Sequence, residues 1–259
     1  MALGMTARVA IDGRIATVTL DDPGRRNALG LAMFDALDEA LRDLADRGDV
    51  RVVLLRGSGR SFCAGFDLAA AVEDPPLMGR FIDRLSVLLR TLRRLPPVVV
   101  ASVQGAAVAG GCAILSACDL VVVARSAKIG YPVHRLGISP AVTIATLQQA
   151  LPAGAARSLL LGGELIDGVE AHRIGLVSHL SRDDQTVELD ATALCTTIGG
   201  HGPEALRVTK AWLNELDGSG DDEAFARPAA ATADLARGDE AAAALRAFWE
   251  SRAGRSGRI

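Results

Sequence analysis

Two short stretches put main-chain donors where chemistry could happen. Cys63-Ala64-Gly65-Phe66-Asp67 and Ala109-Gly110-Gly111-Cys112-Ala113 each set a glycine beside a backbone amide at an expected strand-to-helix junction. Amides at a helix start have no partner inside the helix and carry the positive end of its dipole. Two of them converging on one point would hold an oxygen that gains negative charge during a reaction. Losing one donor from such a site typically costs about a hundred- to a thousandfold in rate. The same glycines equally suit tight turns with no ligand at all. The residues that follow are chemically quiet, because Cys112, Ala113, Ile114 and Leu115 include no good acid or base at neutral pH.

Other chemistries fail on spacing. Gly57 and Gly59 follow an expected strand, but a dinucleotide loop needs a third glycine where Phe62 stands. No Gly-Lys-Ser/Thr follows a glycine loop, and no G-x-S-x-G elbow occurs, so phosphate-loop and serine-hydrolase chemistry lack support. The four histidines form no H-E-x-x-H pair, and Cys63, Cys112, Cys118 and Cys195 form no C-x-x-C pair, so no metal is expected. Reduced, buried thiols point to a cytosol-like compartment. With 28 basic and 31 acidic residues spread along 259 positions, the net charge of −3 offers no patch for nucleic acid. The apolar runs are broken before a membrane-spanning length, and the start lacks a signal-peptide layout, so a cytoplasmic protein is expected.

These loops need elements to hold them. "RVAIDG" and "RIATVTLDD" alternate as a hairpin turning at Asp12-Gly13. Apolar residues recur at helical spacing over 31–47 and 77–94, the second stretch stopped by Pro96-Pro97. "VRVVLLRGSG" and "VVVASVQG" read as strands covered on both faces. "GGCAILSAC" reads as a short helix and "DLVVVARSAKIG" as two more strands. From Ala141 the pattern turns helical, with "LVSHL" as the last strand. Three Ala-rich helical stretches then cover about 203–216, 222–236 and 239–251. The reading is an α/β chain, with a βα core over residues 1–200 and a helical region over 201–259 of a size that often packs on another subunit.

"RRNALG", "SFCAGFDL", "GAAVAGGCAILSACDLVVVARSAKIGYP", "RLGISP" and "LLLGGELIDGVEAHRIGLVSHL" together resemble the enoyl-CoA hydratase/isomerase, or crotonase, superfamily. The resemblance runs in order from about residue 8 to residue 180. It implies a crotonase-like β-β-α spiral core with a C-terminal helical trimerisation region, and a homotrimer or dimer of trimers. It implies a thioester held in an oxyanion hole, with coenzyme A arriving as part of the substrate and no permanently bound cofactor. Carried over residue by residue, the hole is built from the amides of Phe66 and Gly110. Arg26, Ala28 and Ala64 resemble the backbone region that contacts coenzyme A. Phe248 resembles an aromatic that packs by a neighbouring subunit's nucleotide. Arg252 stands beside Ser251, where relatives often have a lysine.

A hydratase of the resembled family uses two glutamates, one after "GGC" and one after the proline of "G-x-P-E". Here those positions hold Ala113 and Val133. A general acid or base typically contributes about a hundred- to ten-thousandfold, so efficient hydration is expected to be absent. His134 is a candidate replacement, but an extended segment that turns Val133 to the pocket turns His134 away. Tyr131 and Cys112 are expected to pack, Asp67 to cap the next helix, and Glu73 and Asp74 to face solvent. His172, His179 and His201 carry no signal. Three readings follow: a hydratase or isomerase with weak or altered activity, a decarboxylase or other enolate-stabilising enzyme, and a non-catalytic binder of acyl-CoA. A carrier-protein thioester would fit the same site.

Overall fold

A computed structural model describes residues 6–256, with side chains through Ser251; residues 1–5 and 257–259 lie outside the described residues. Strands β1 (Ala7–Asp12) and β2 (Ile15–Leu20) pair antiparallel with Asp12 opposite Ile15, so the turn falls on Gly13-Arg14, one residue later than expected. Helix α1 (Leu31–Ala45) buries Met33, Phe34, Leu37, Leu41 and Leu44, one apolar stripe at helical spacing. Strand β3 (Val52–Gly57) follows, then α2 (Leu68–Glu73) and α3 (Leu77–Arg94). Strands β4 (Val98–Val103) and β5 (Ala106–Val108) lead into helix α4 (Gly110–Ala117). Then come β6 (Leu120–Ala124) and β7 (Lys128–Gly130), helices α5 (Ile144–Ala150) and α6 (Ala153–Gly162), β8 (Leu165–Asp167), α7 (Gly168–Arg173), β9 (His179–Ser181) and α8 (Val187–Gly199).

The main sheet has the order β1-β2-β3-β4-β6-β9, parallel throughout after the first hairpin. Its central strands read VVLLRG, VVVASV and LVVVA, because a parallel sheet with both faces covered selects near-continuous β-branched runs. Helix α8 packs on β3, β4 and β6. A second sheet, β5-β7-β8, branches off beyond β4 and leaves α4 starting where the two sheets diverge. The repeated strand-strand-helix progression matches the expected spiral core.

Helices α9 (Pro203–Leu216), α10 (Asp222–Ala236) and α11 (Asp239–Ser256) form the C-terminal region. All three pack on the core of their own chain. On α9, the buried Lys210 ammonium donates to Pro97 O at 2.9 Å and to Asp119 Oδ2 at 2.6 Å. Burial lowers the Lys210 pKa, and the neighbouring Asp119 carboxylate opposes that shift. Helix α10 lies along α3 through Phe225 and Ala229, with the Arg94 guanidinium 5.6 Å over the Phe225 ring. Helix α11 closes on α2 and on the 3-10 turn His134–Leu136. Among the described residues no helix is long and apolar enough to cross a membrane, and no three His, Cys, Asp or Glu side chains are grouped to hold a metal.

Candidate functional site

The loop after β3 and the loop before α4 run side by side. Cys63 pairs with Ala107 in a parallel bridge: Cys63 N donates to Ala106 O and Val108 N donates to Cys63 O, both at 3.0 Å. On its other side the first loop pairs with Leu29, whose N–H donates to Gly65 O at 2.8 Å and whose carbonyl accepts Asp67 N–H at 3.1 Å. Successive groups of an extended segment point to opposite sides, so the Phe66 N–H faces away from Leu29. Gly65 lies at φ +93°, and a Cβ there would come 2.9 Å from Val108 O and 3.7 Å from Gly110 N. Only glycine permits this approach, which sets the residue before Phe66 against the first amide of α4. Among the described residues neither the Phe66 nor the Gly110 N–H donates to a protein acceptor.

Ala109 precedes α4 with φ 52° and ψ −113°, a conformation that favours glycine. Its N–H donates to Gly130 O at 2.8 Å, and its carbonyl accepts Ala113 N–H at 2.9 Å, so the second sheet and the helix together hold the strained backbone. Ala109→Gly is expected to stabilise the fold by about 1 kcal/mol, relief of strain exceeding the added freedom of the unfolded chain. For a chain of this size that raises the thermal midpoint by about 2–4 °C, measurable by calorimetry. A lower midpoint would show the strain to be negligible.

Beside these amides lies a cavity of about 250 Å³. Its lining draws Arg26, Ser61, Ala64 and Ala106 from the segments around the first glycine loop and β5, and Pro132, Val133, Arg135, Leu136, Ile138 and Phe248 from the 132–138 segment and α11. Phe66, Leu68, Val108 and Ala109 complete the lining. The Phe66 ring is fixed from behind by Phe81 at 5.6 Å and Phe34 at 6.5 Å between centroids. Asn27 ties the first of these groups together. Its Oδ1 accepts Asp22 N–H at 2.9 Å, and its Nδ2 donates to the carbonyls of Ser58, Ser61 and Phe62 at 2.9–3.0 Å.

The structure brings together most of the expected residues. Arg26, Ala64, Phe66, Val133 and Phe248 line the cavity, and Gly110 directly follows its lining residue Ala109. Phe248 borders the cavity of its own chain, because α11 folds back over the 134–136 turn. Ala28 faces an adjacent cavity with Asp22, Arg25 and Asp67 instead. Ala113 is fully buried within α4. His134 is exposed and off the lining; a Cβ on Gly163 would meet its Nδ1 at 3.3 Å, so the imidazole lies on the outer side of the turn. The Arg252 side chain lies outside the described residues. Asp67 caps α2 by accepting Ala70 N–H at 3.2 Å and also pairs with Arg25 at 3.0 Å. Glu73 ends α2 and Asp74 caps it, both exposed and off the lining. Neither Asn27 nor Arg135 stood out as chemistry in the sequence, although "RRN" and "HRL" contain them.

Electrostatically the lining is simple. Among the described residues it holds no carboxylate, imidazole, thiol, phenol or amine, and its charged groups are Arg26 and Arg135. Behind it, burial pushes the Cys112 thiol up to about 12 and the Tyr131 phenol well above its ordinary value. The Tyr131 hydroxyl sits near Cys112, Ser116 and Thr143 without a geometrically complete hydrogen bond. Such groups hold their protons at neutral pH and cannot serve as bases. The site can therefore attract negative charge and bury a short apolar group, and its described residues offer nothing that takes a proton.

The sequence model of the enoyl-CoA hydratase/isomerase family matches residues 10–255. Enoyl-CoA hydratase EchA19 of Mycobacterium tuberculosis is 34% identical over 257 residues, covering 96% of each chain. The crystal structure of an enoyl-CoA hydratase from Mycobacterium avium superposes with a TM-score of 0.82 at 31% identity, covering 96% of this chain and 98% of that one. An enoyl-CoA hydratase/isomerase structure from Mycobacterium paratuberculosis shares the fold, with a TM-score of 0.85 at 24% identity over 95% of this chain and 99% of that one. A match spanning nearly the whole chain, joined to the spiral core and the paired glycine loops, places this chain in the enoyl-CoA hydratase/isomerase (crotonase) family.

Proposed function

We infer that this protein binds a short acyl thioester of coenzyme A in the Arg26–Phe248 cavity, its carbonyl oxygen accepting from the Phe66 and Gly110 N–H groups. The names of its relatives support an acyl-CoA ligand. Coenzyme A enters as part of the ligand, and no resident cofactor is required. The observation that carries the reading is the lining itself: two main-chain donors without a protein acceptor beside a largely apolar cavity whose described residues include no group able to move a proton.

Hydration of a double bond needs a base for water and an acid for the α-carbon. Ala113 and Val133 stand at the positions of the resembled family's glutamates, and the described residues of the lining offer no substitute. The two amides would still stabilise an enolate formed without a base. Breaking the bond between the α-carbon and a carboxylate is one such step: carbon dioxide leaves, its bonding pair enters the enolate, and water supplies the proton. That chemistry suits the lining better than hydration does.

Calorimetry with butyryl-CoA and its thioether analogue S-butyl-CoA tests the role of the amides. The thioether lacks the carbonyl oxygen and keeps the rest. Butyryl-CoA is expected to bind about tenfold tighter, the value of a well-placed hydrogen-bonded acceptor. Equal affinities would overturn the two-amide site.

A further inference from the structure

We propose that the Phe66 ring, backed by Phe81 and Phe34, is a fixed stop that restricts this site to short acyl groups. This rests on the thioester reading above and adds the residue that sets chain length. Phe66 stands at the carbonyl position itself. Its own N–H is one of the two donors, and a Cβ on Gly110, which carries the other, would lie 3.5 Å from its Cε1. On its far side the ring meets Phe81 at 5.6 Å and Phe34 at 6.5 Å, and those two meet each other at 6.3 Å between centroids. Phe34 and Phe81 are fully buried, so that side of the ring is protein interior. The phosphates of coenzyme A keep their half of a thioester toward solvent. The apolar acyl half runs the other way, onto the ring.

Behind the stop lies a second cavity of about 200 Å³, with Phe81, Ala28, Leu31, Met33, Ala70 and Leu77 as its apolar lining. Phe66 lines the first cavity and not the second, whereas Phe81 lines the second and not the first. Their ring contact is therefore a boundary between the two. The main chain continues that boundary, since Phe66 and Leu68 line the first cavity while Asp67 and Ala70 line the second. The rings brace one another, and the Arg84 guanidinium lies 5.7 Å over Phe34, itself held by Asp35 at 2.7 Å and Asp38 at 2.8 Å. Close-packed rings of this kind stay in place on the time average. In the second cavity Arg25 is already paired with Asp22 at 2.7 Å and Asp67 at 3.0 Å. Those charges ask for no ionic ligand, and the remaining space suits an alkyl chain. The first cavity, about 250 Å³, is small beside the roughly 300–1,000 Å³ of typical small-molecule sites, so the boundary decides what fits.

The test compares calorimetric affinities of butyryl-CoA and octanoyl-CoA for the full chain and for three variants. A buried methylene typically strengthens binding about fourfold, so the longer chain reports whether its end finds an apolar cavity. In the wild type octanoyl-CoA is expected to bind at most about fivefold tighter than butyryl-CoA. Phe66→Ala, which keeps the main-chain donor, is expected to raise that ratio at least about tenfold by joining the two cavities. Phe81→Leu, which removes the backing ring, should raise it by a smaller factor. Leu44→Ala, a core change on α1 that borders neither cavity, should leave the ratio at the wild-type value. Circular dichroism verifies the fold of each variant, and Phe81→Leu decides if Phe66→Ala does not fold. A wild-type ratio above the expected limit overturns the proposal, because the ring then stops nothing. An unchanged ratio in the folded phenylalanine variants overturns it too, as does an equal rise in Leu44→Ala, the mark of general loosening. If neither thioester binds the wild type, the thioester reading itself falls, a result distinct from binding without chain-length selection.

Discussion

Crotonyl-CoA hydration by the wild-type chain is expected to run about 10⁴-fold or more below that of a relative that keeps both glutamates, assayed side by side. Each missing group typically contributes about a hundred- to ten-thousandfold, and both positions are apolar here. Ala113→Glu combined with Val133→Glu is expected to raise the rate by at least about a hundredfold, and either change alone by much less. Val133 is already on the cavity wall, so its glutamate enters the lining directly. Ala113 is fully buried one turn into α4, and a glutamate there must extend toward the cavity to avoid leaving a charge unpaired. Thermal midpoints separate a dead variant from an unfolded one. Wild-type turnover at the relative's rate would remove the case for these two positions.

Asn27→Ala is expected to cost about 3–4 kcal/mol of stability, which lowers the thermal midpoint by roughly 10 °C. The side chain is fully buried and serves one amide and three carbonyls, from Asp22 and from the 58–62 segment that leads into the first glycine loop. Two N–H donors are shared among three acceptors, so no simpler side chain can replace them. Asn27 also lies at φ +55°, a region asparagine tolerates better than alanine. Asn27→Gly removes that backbone strain and is expected to recover about 1 kcal/mol relative to the alanine variant. Thioester affinity should fall in both, because the segment 61–66 that presents the Phe66 amide loses its anchor. A midpoint within about 2 °C of wild type would show the network to be dispensable.

How far these features were legible depends on whether they leave a pattern within a few residues. Helix α3 was readable end to end, since its apolar stripe is continuous and Pro96-Pro97 terminates it. The central strands were readable from their β-branched runs. Helix α8 was not, because Thr-rich "VELDATALCTTIG" has weak amphipathicity and poor helix propensity. The structure shows how it is satisfied: the hydroxyls of Thr192, Thr196 and Thr197 donate to the carbonyls four residues back. Strand β8 is three residues long and is defined by its partner β7, which no local pattern reveals. In the site, the glycines and the quiet residues after them were plain. The backbone work of Asn27 and the wall position of Arg135 were hidden, because each depends on segments brought together from far along the chain.

Helix α11 supplies Phe248 to the same cavity that the two glycine loops border. Occupancy and docking of the chain's final helix are therefore thermodynamically linked, since a ligand resting on Phe248 favours the docked arrangement over a detached one. A C-terminal fusion or tether that tugs on this segment would act as a remote dial on affinity, although it touches neither main-chain donor.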